Sequence, residues 1–469
     1  MMAGSSTSET RISHLSDLTP PSLERAWLTA PHPTLPIAAT CSADKTVRVY
    51  SLTNFKLVST ITGGHKRSVR SCAWKPLVKG ESVLATGSFD ATVGIWRRWD
   101  NYGREEGGSQ AWTLDEAHHT TGEVEDDGPL GRGPLLHDDA GDGADEDEEW
   151  RFAVLLDGHD SEVKSVSWSA SGMLLATCAR DKSIWIWEDL DDGDNNFETV
   201  AVLQEHSGDV KCVSWHPTED CLASGSYDDT IRVWREDIDD WGQVACLKGH
   251  AATVWFIDWE GVDSAPTIPS SSGRTREQWK EHHSLSGPRL VSCSADRTVR
   301  VWRRRPKTPS SSAGTGMPSI IRPTGLDESW YEDAVLPPAH DLAVYSVAWS
   351  KRTGLVASTG ADGRIVVYEE RLVAPPPAVM DAAATDKMDI DASSPAAGNG
   401  QTTGPPSFPR TEWVVISTVD GAHGIYEINH IAWTRRADRN RSETTGVADE
   451  EILISTADDG SVKVWTLDR

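Results

Sequence analysis

The stretch Ala153–Trp187 reads AVLLDGHDSEVKSVSWSASGMLLATCARDKSIWIW and decides the fold. It contains a Gly-His pair, a short run that ends at Trp168, an apolar run, and an alternating run that leads from Asp181 to Trp187. Short apolar or alternating runs separated by turn residues predict β-strands. The stretch therefore predicts strand, turn, strand, turn, strand.

The rest of the chain repeats this unit. An Asp followed six residues later by Trp or Tyr occurs seven times, at Asp44–Tyr50, Asp90–Trp96, Asp181–Trp187, Asp228–Trp234, Asp296–Trp302, Asp362–Tyr368 and Asp459–Trp465. A His precedes a Trp by nine or ten residues in six copies, and an aromatic residue that precedes each of these His residues begins a fourth short run. The copy near Trp27 has no His at this spacing, and His14 is the candidate for its place. The repeat predicts seven units of four strands each.

This order of signals resembles WD repeats, which form the blades of β-propellers. The resemblance implies an all-β, seven-bladed WD-repeat β-propeller that spans residues 11–469 as a single domain. It also implies that a His, a strand Ser or Thr, the turn Asp and a Trp form a structural hydrogen-bonded chain in each blade. The residues expected in such chains include His159, Asp181, Trp187, His206, Asp228 and Trp234.

The two ends of the chain are expected to meet in the last blade. The seventh copy ends at Trp465, with almost no chain left for a fourth strand. We therefore expect the segment Arg11–Ser16 to be the outer strand of blade seven, which closes the ring and removes its open edge.

Composition limits the classes of partner and compartment. The 469 residues carry a net charge of -27, which argues against general binding to nucleic acid or to anionic membranes. There is no apolar stretch long enough to cross a membrane and no hydrophobic signal core. Seven Cys without a C-x-x-C pair favour a reducing compartment. We expect a cytoplasmic protein, with the nucleus as a second compartment.

Five segments stretch the repeat, and their composition of Gly, Ser, Pro, Ala and charged residues predicts irregular loops. They lie at approximately 99–149, 260–288, 303–329, 370–411 and 434–449.

If the strands of a blade are named a to d from the channel outward, every segment falls in an a–b or c–d connection. All five are then expected on one face, called here the insertion face. The opposite face, formed by the d–a loops and b–c turns, is called the clean face and is the candidate working surface. The alternative is that a–b and c–d connections are simply the least constrained.

Two repeat positions are expected to point to the clean-face mouth of the channel: the residue before the turn Asp, and the residue four before the Trp of strand a. The residue before the turn Asp is large only in blades two to four. The strand a position is basic in blades two to four and aromatic in blades five and six. Arg and aromatic residues commonly anchor interfaces, and Arg binds carboxylates with two hydrogen bonds. We therefore predict a peptide- or protein-binding surface, called here the basic arc, made of Arg70, Phe89, Lys164, Arg180, Lys211, Tyr227, Trp255 and Tyr345. The alternative is that Lys164 and Arg180 only offset nearby acids such as Glu162 and Asp209.

Sequence motifs of catalysis are missing. There is no P-loop, no G-x-G-x-x-G after a strand, no H-E-x-x-H and no G-x-S-x-G. The Cys residues fall on different blades and strands, which is not the spacing of a zinc or iron–sulfur site. We expect no catalytic residue, no cofactor, no metal site and no enzyme.

Several stretches go beyond the general WD pattern, among them TCARDKS at 177–183, SYDDT at 226–230 and HGIYEIN at 423–429. With them the chain resembles the WD-repeat family of cytosolic iron–sulfur protein assembly. The resemblance implies a non-catalytic scaffold of a targeting complex that mediates transfer of clusters to cytosolic and nuclear apoproteins. It also implies an important exposed Arg, which by position is Arg180.

The implied partners are a small assembly protein and a HEAT-repeat protein, with apo iron–sulfur proteins contacted indirectly. The propeller would be a monomer within this hetero-complex, without direct nucleic-acid or membrane contact. A different WD-repeat module, such as a ubiquitin-ligase substrate receptor or a histone-tail reader, is the alternative. Ligase receptors usually carry W-D-x-R after strand c, whereas here no Asp directly follows that Trp.

Overall fold

The computed structural model describes residues 10–99, 150–193, 195–237, 240–262, 273–306, 328–373, 410–439 and 450–468. Within these ranges the chain forms 28 β-strands in seven four-stranded antiparallel sheets, together with one α-helix. Each sheet is one blade. The prediction of a seven-bladed all-β propeller is confirmed.

The strands follow the chain in order, four to a blade. Blade one contains β2 (Ala26–Pro31), β3 (Ile37–Ser42), β4 (Val47–Ser51) and β5 (Leu57–Ile61). Blade two contains β6 (Val69–Trp74), β7 (Glu81–Ser88), β8 (Thr92–Trp99) and β9 (Arg151–Asp157). Blade three contains β10 (Val163–Trp168), β11 (Leu174–Ala179), β12 (Ile184–Asp189) and β13 (Phe197–Leu203). Blade four contains β14 (Val210–Trp215), β15 (Cys221–Ser226), β16 (Thr230–Asp237) and β17 (Asp240–Lys248).

The last three blades enclose the helix and the closure of the ring. Blade five contains β18 (Val254–Trp259), β19 (Leu290–Ser294), β20 (Val299–Arg304) and β21 (Trp330–Val335), with helix α1 (Gly273–Ser286) between β18 and β19. Blade six contains β22 (Val344–Trp349), β23 (Val356–Gly360), β24 (Ile365–Leu372) and β25 (Thr411–Val419). Blade seven contains β26 (Ile428–Arg435), β27 (Glu451–Ala457), β28 (Val462–Asp468) and the N-terminal strand β1 (Arg11–Asp17).

The ring closes as the sequence predicts. Strand β1 is antiparallel to β28, and the pairing runs from Arg11 opposite Asp468 to Asp17 opposite Lys463. The strand extends one residue past the predicted Arg11–Ser16. Ile12 is buried in the core between blades six and seven, so β1 contributes apolar contacts as well as the last row of hydrogen bonds.

The hydrophobic core is divided into seven clusters, each of which lies between two neighbouring blades. The Trp at the end of strand a joins adjacent blades. For example, the indole N–H of Trp215 donates to the carbonyl of Ser167 at 3.0 Å, and that of Trp259 donates to Ser214 at 3.0 Å. A propeller blade cannot bury both faces alone, so these contacts hold the ring together.

Each typical blade contains a buried hydrogen-bonded chain. In blade three, His159 Nδ1 donates to the Asp181 carboxylate at 2.9 Å, and the Thr177 hydroxyl lies 2.9 Å from His159 Nε2. The Trp187 indole donates to the same hydroxyl at 3.0 Å. In blade four His206, Asp228 and Trp234 make the corresponding bonds, with Ser224 as the shared hydroxyl.

Blade one departs from this arrangement. Arg48 donates to Asp44 at 2.7 Å, so its guanidinium is the hydrogen-bond donor to the turn Asp in place of a His. The expectation that His14 fills this place was wrong. His14 lies in β1, where it contacts Asp17 and the ring of Trp465 in blade seven. Because β1 pairs with β28, its side chains belong to blade seven and not to blade one.

One predicted loop contains regular structure. Within 260–288, residues 273–286 form α1, although the composition of the segment predicts an irregular loop. Trp279 of this helix is 1% exposed and stacks on His283 at a ring distance of 4.6 Å. The burial of a few side chains can thus stabilise a helix in a segment that is polar on average. Most of the other four segments lies outside the described residues.

A buried ion cluster lies beside α1. Arg289 donates to Glu260 at 2.8 Å and to Glu370 at 2.6 Å, and it also approaches Asp333. His283 Nδ1 lies 3.6 Å from Glu260. Since Glu370 belongs to blade six and Glu260 to blade five, Arg289 joins the two blades.

Candidate functional site at the clean-face mouth of the channel

The same backbone irregularity in every blade directs side chains into the channel. The pairing between strands a and b skips one residue, the second of strand a, in all seven blades. A β-bulge of this kind changes the direction of one side chain. The skipped residues are Trp27, Arg70, Lys164, Lys211, Trp255, Tyr345 and Asn429.

These seven side chains line a cavity of about 260 Å³. Arg25, Phe89 and Glu427 complete its wall. Six of the eight residues predicted for the basic arc therefore line one cavity, namely Arg70, Phe89, Lys164, Lys211, Trp255 and Tyr345.

Cations and aromatic rings alternate around the wall. The guanidinium of Arg70 lies 4.9 Å from the ring centre of Trp27, and Lys164 Nζ lies 4.2 Å from that of Phe89. Lys211 Nζ lies 5.3 Å from the ring of Trp255. A cation over a ring face is attracted by the negative face of that ring, so these pairs order the wall before a ligand arrives.

The charge of the cavity is positive on one side. Burial lowers the pKa of Arg70 to about 10 and that of Lys164 to about 8, and in Lys164 the attraction of Glu162 opposes the shift. Among the described residues no carboxylate forms an ion pair with either group, whereas Lys211 binds Asp209 at 3.2 Å. Partly buried cations without a paired carboxylate favour an anionic ligand.

Acids occupy the other side of the wall. The Asp458 carboxylate accepts hydrogen bonds from Arg25 at 2.6 Å and from the Asn429 amide at 2.8 Å. Burial and the neighbouring Glu427 raise the pKa of Tyr345 to about 12, so its hydroxyl stays protonated and can donate. The cavity is therefore polarised from basic blades two to four towards acidic blade seven.

Arg180 and Tyr227 lie outside the cavity wall. The Arg180 side chain is 60% exposed and approaches Glu162 at 3.3 Å, and Tyr227 is 62% exposed. Arg67 of blade two also approaches Glu162, at 3.4 Å. Arg180 thus faces a carboxylate of the neighbouring d–a loop, whereas the Tyr227 ring lies 5.5 Å from Nζ of the wall residue Lys211. A position of these two residues near the channel mouth stays a prediction.

The structure shows wall residues that the sequence reasoning missed. Trp27 occupies the bulge position of blade one, but β2 ends at Pro31, so the rule of counting back from a Trp did not find it. Arg25 and Glu427 come from d–a loops, at positions that none of the repeat signals identifies. Phe256 follows Trp255 and packs against the clusters between blades one and two, four and five, and five and six, so it reaches across the channel.

Metal and thiol chemistry can be checked in the same ranges. The part of the chain that the structure describes contains no group of three His, Cys, Asp or Glu residues placed to hold a metal ion. Six of the seven Cys are buried and all seven are unbridged. Burial raises the pKa of Cys41, Cys178, Cys212, Cys221 and Cys293, so these thiols stay protonated. No helix in the described ranges is long and apolar enough to cross a lipid bilayer.

Comparison with known proteins extends over nearly the whole chain. The family profile described as "WD domain, G-beta repeat" matches residues 55–97, 150–188, 197–235, 279–303 and 334–369. A Penicillium rubens protein called "Probable cytosolic iron-sulfur protein assembly protein 1" is 66% identical over 472 residues, which cover 98% of this chain and 99% of the relative. Proteins of the same name from Neosartorya fischeri and Emericella nidulans are 67% and 65% identical, over 99% and 98% of this chain and 100% and 97% of their own lengths.

Proposed function

The chain belongs to the WD-repeat family of cytosolic iron-sulfur protein assembly protein 1, and from this premise we propose that it is a scaffold for cytosolic iron–sulfur protein assembly. The scaffold acts by protein–protein contact and catalyses no reaction. Its partners are a small assembly protein and a HEAT-repeat protein of the targeting complex. Through them it serves apo iron–sulfur proteins of the cytosol and the nucleus. The observation that carries this proposal is the identity of 66% over nearly the full length of both chains.

The basic arc is the surface through which this scaffold contacts an acidic partner. Six of its residues line one cavity, in which Arg70 and Lys164 have no carboxylate ion-pair partner among the described residues. Arg180 and Tyr227 extend the surface outward, where a partner that enters the cavity would also meet them. A carboxylate-bearing peptide with a flat apolar side chain fits this combination of cations and rings.

The pairing of Arg180 with Glu162 does not remove it from this role. The distance of 3.3 Å and an exposure of 60% describe a surface ion pair, and such pairs contribute about 0–1 kcal/mol. A partner carboxylate can therefore replace Glu162 at small cost.

Affinity purification from cells followed by mass spectrometry tests the scaffold role. Recovery of the small assembly protein and the HEAT-repeat protein is the expected result, and recovery of cullin adaptors instead would defeat it. Arg180→Glu tests the surface and is expected to reduce recovery of at least one partner tenfold or more. Lys79→Glu, the same charge change on an exposed residue of the insertion face, is the matched control. Equal recovery from both folded variants would refute the basic arc.

A further inference from the structure

The d–a loops of blades six, seven and one carry exposed apolar residues, unlike the corresponding loops of the other blades. Ile425 is 94% exposed, Leu23 is 86% exposed and Leu342 is 52% exposed. Ile425 and Leu342 stand two residues after the blade His, where blades two to five have Arg67, Ser161, Gly208 and Ala252. Among blades two to seven, the same repeat position thus holds a large apolar residue only in the neighbouring blades six and seven.

The loop that presents Ile425 is held in place by its backbone. Gly421 and Gly424 have φ values of +58° and +70°, which favour glycine, and the Gly424 N–H donates to the Gly421 carbonyl at 2.8 Å. The Tyr426 N–H donates to the carbonyl of His423, a buried residue of the blade. Since the loop has little freedom to fold Ile425 inward, its exposure is a property of the native state.

Cross-links join the three loops into one surface. Arg364 binds both Asp341, next to Leu342, and Asp420, at the start of the Ile425 loop, at 2.8 Å and 2.7 Å. On the other side, the Asp458 N–H donates to the Glu427 carbonyl and its carboxylate binds Arg25. Leu23, Leu342, Ile425 and Tyr426 therefore lie on three linked neighbouring loops, and the four residues are called here the apolar patch.

Carboxylates surround the apolar patch. Asp341 and Asp420 remain 75% and 77% exposed although Arg364 lies between them, and Glu24 and Glu427 flank the other end. The patch is on the clean face, on the opposite side of the channel from Lys164, Arg180 and Lys211. Arg364 and Arg25 also lie beside these loops, but carboxylates outnumber them there. An exposed apolar group with a polar rim is typical of a protein interaction site.

We propose that the apolar patch binds a cationic segment of a second protein, one that presents apolar side chains between Lys or Arg residues. Apolar side chains of that segment cover Ile425, Leu342 and Leu23, and its cations meet Asp341 and Asp420. The clean face then holds two partners of opposite charge side by side, which gives the proposed scaffold a physical means of bringing them together. The proposal for the apolar patch rests on the scaffold role but not on the basic arc, so the proposals for the two surfaces can be refuted separately.

Photo-cross-linking from the patch tests this. The full chain, with p-benzoylphenylalanine in place of Ile425, is irradiated in cells, and the cross-linked segment is identified by mass spectrometry. We expect a dominant adduct to a segment with more Lys and Arg than Asp and Glu. Neutralising the patch with Asp341→Asn and Asp420→Asn is expected to lower its yield at least fivefold. The same photoprobe at Leu77, an apolar residue 79% exposed on the insertion face, is the matched control.

Every outcome of the cross-linking experiment either supports or overturns the proposed binding at the apolar patch. An adduct no stronger than that from Leu77, one formed with an acidic segment or with a second copy of this chain, or one insensitive to the two Asn substitutions overturns the patch. Arg180→Glu is expected to leave the adduct intact. Persistence of the adduct when Arg180→Glu has no effect on any partner would refute the basic arc but support the patch.

Discussion

A single buried hydroxyl, that of Thr177, joins two side chains of the hydrogen-bonded chain in blade three. Thr177 accepts from the Trp187 indole and lies 2.9 Å from His159 Nε2, with all three side chains buried. Thr177→Val keeps the shape but leaves two buried polar groups without a partner. We expect a loss of about 1–3 kcal/mol in the free energy of unfolding, measured by denaturant titration. Thr60→Val, on the exposed side of β5, is the control, and equal midpoints for the two variants would contradict the prediction.

The turn Asp residues make stability depend on acid. Burial alone would raise the pKa of Asp181, but hydrogen bonds from His159 and Ser183 hold it at about 2. Because this is below the ordinary value of 3.8, the ionised carboxylate stabilises the fold above about pH 4, and the effect is lost as pH falls towards 2. Asp181→Asn is expected to be less stable than the natural chain at pH 7, with a difference that shrinks between pH 4 and 2. Unfolding midpoints measured over this range provide the test, and a constant difference would disprove it.

At the scale of elements, β1 decides whether the ring is closed. Its loss would expose the outer edge of β28 and remove Ile12 from the core between blades six and seven. Removal of residues 1–16 is expected to lower the melting temperature of the whole chain by roughly 10 °C, because several kcal/mol of strand pairing and burial are lost. Removal of residues 1–9 alone, which spares the strand, is the control. A shortened chain that melts like the full one would rule out closure by β1.

Helix α1 depends on one side chain. Trp279 is 1% exposed, whereas its neighbour Lys280 lies on the exposed side. Trp279→Ala is expected to cost about 3–5 kcal/mol and to speed hydrogen exchange of the amides of residues 277–286. Lys280→Ala should change neither quantity. Unchanged exchange in the Trp279 variant would mean that the helix is held by other contacts.

At the scale of the whole molecule, a basic arc on a chain of net charge -27 makes partner binding depend on salt. The Debye length falls from about 10 Å at 0.1 M salt to about 3 Å at 1 M, so attraction between exposed charges weakens. We expect affinity for the acidic partner to fall steadily as salt rises, with a smaller slope in Arg180→Glu. Titration calorimetry at several salt concentrations measures this. Equal slopes would show that Arg180 does not face the partner's charge.

The sequence by itself determined the blades, their number and the closure of the ring. Strand periodicity, the His-to-Trp spacing and the missing last strand are local or repeated sequence signals. They recur because every blade must satisfy the same hydrogen bonds. It also identified six cavity residues. Five of them occupy the bulge position of strand a, which is constant along the repeat, and the sixth, Phe89, precedes a turn Asp.

Only the tertiary structure decided which side chains meet across the channel. Trp27 and Glu427 line the cavity from blades one and seven, whereas Arg180 lies outside its wall and contacts Glu162. The burial of Trp279 in an otherwise polar segment, and the joining of three loops around Ile425 by Arg364 and Asp458, were likewise invisible in the sequence. These features depend on distances between residues far apart in the chain, and no local pattern records such distances.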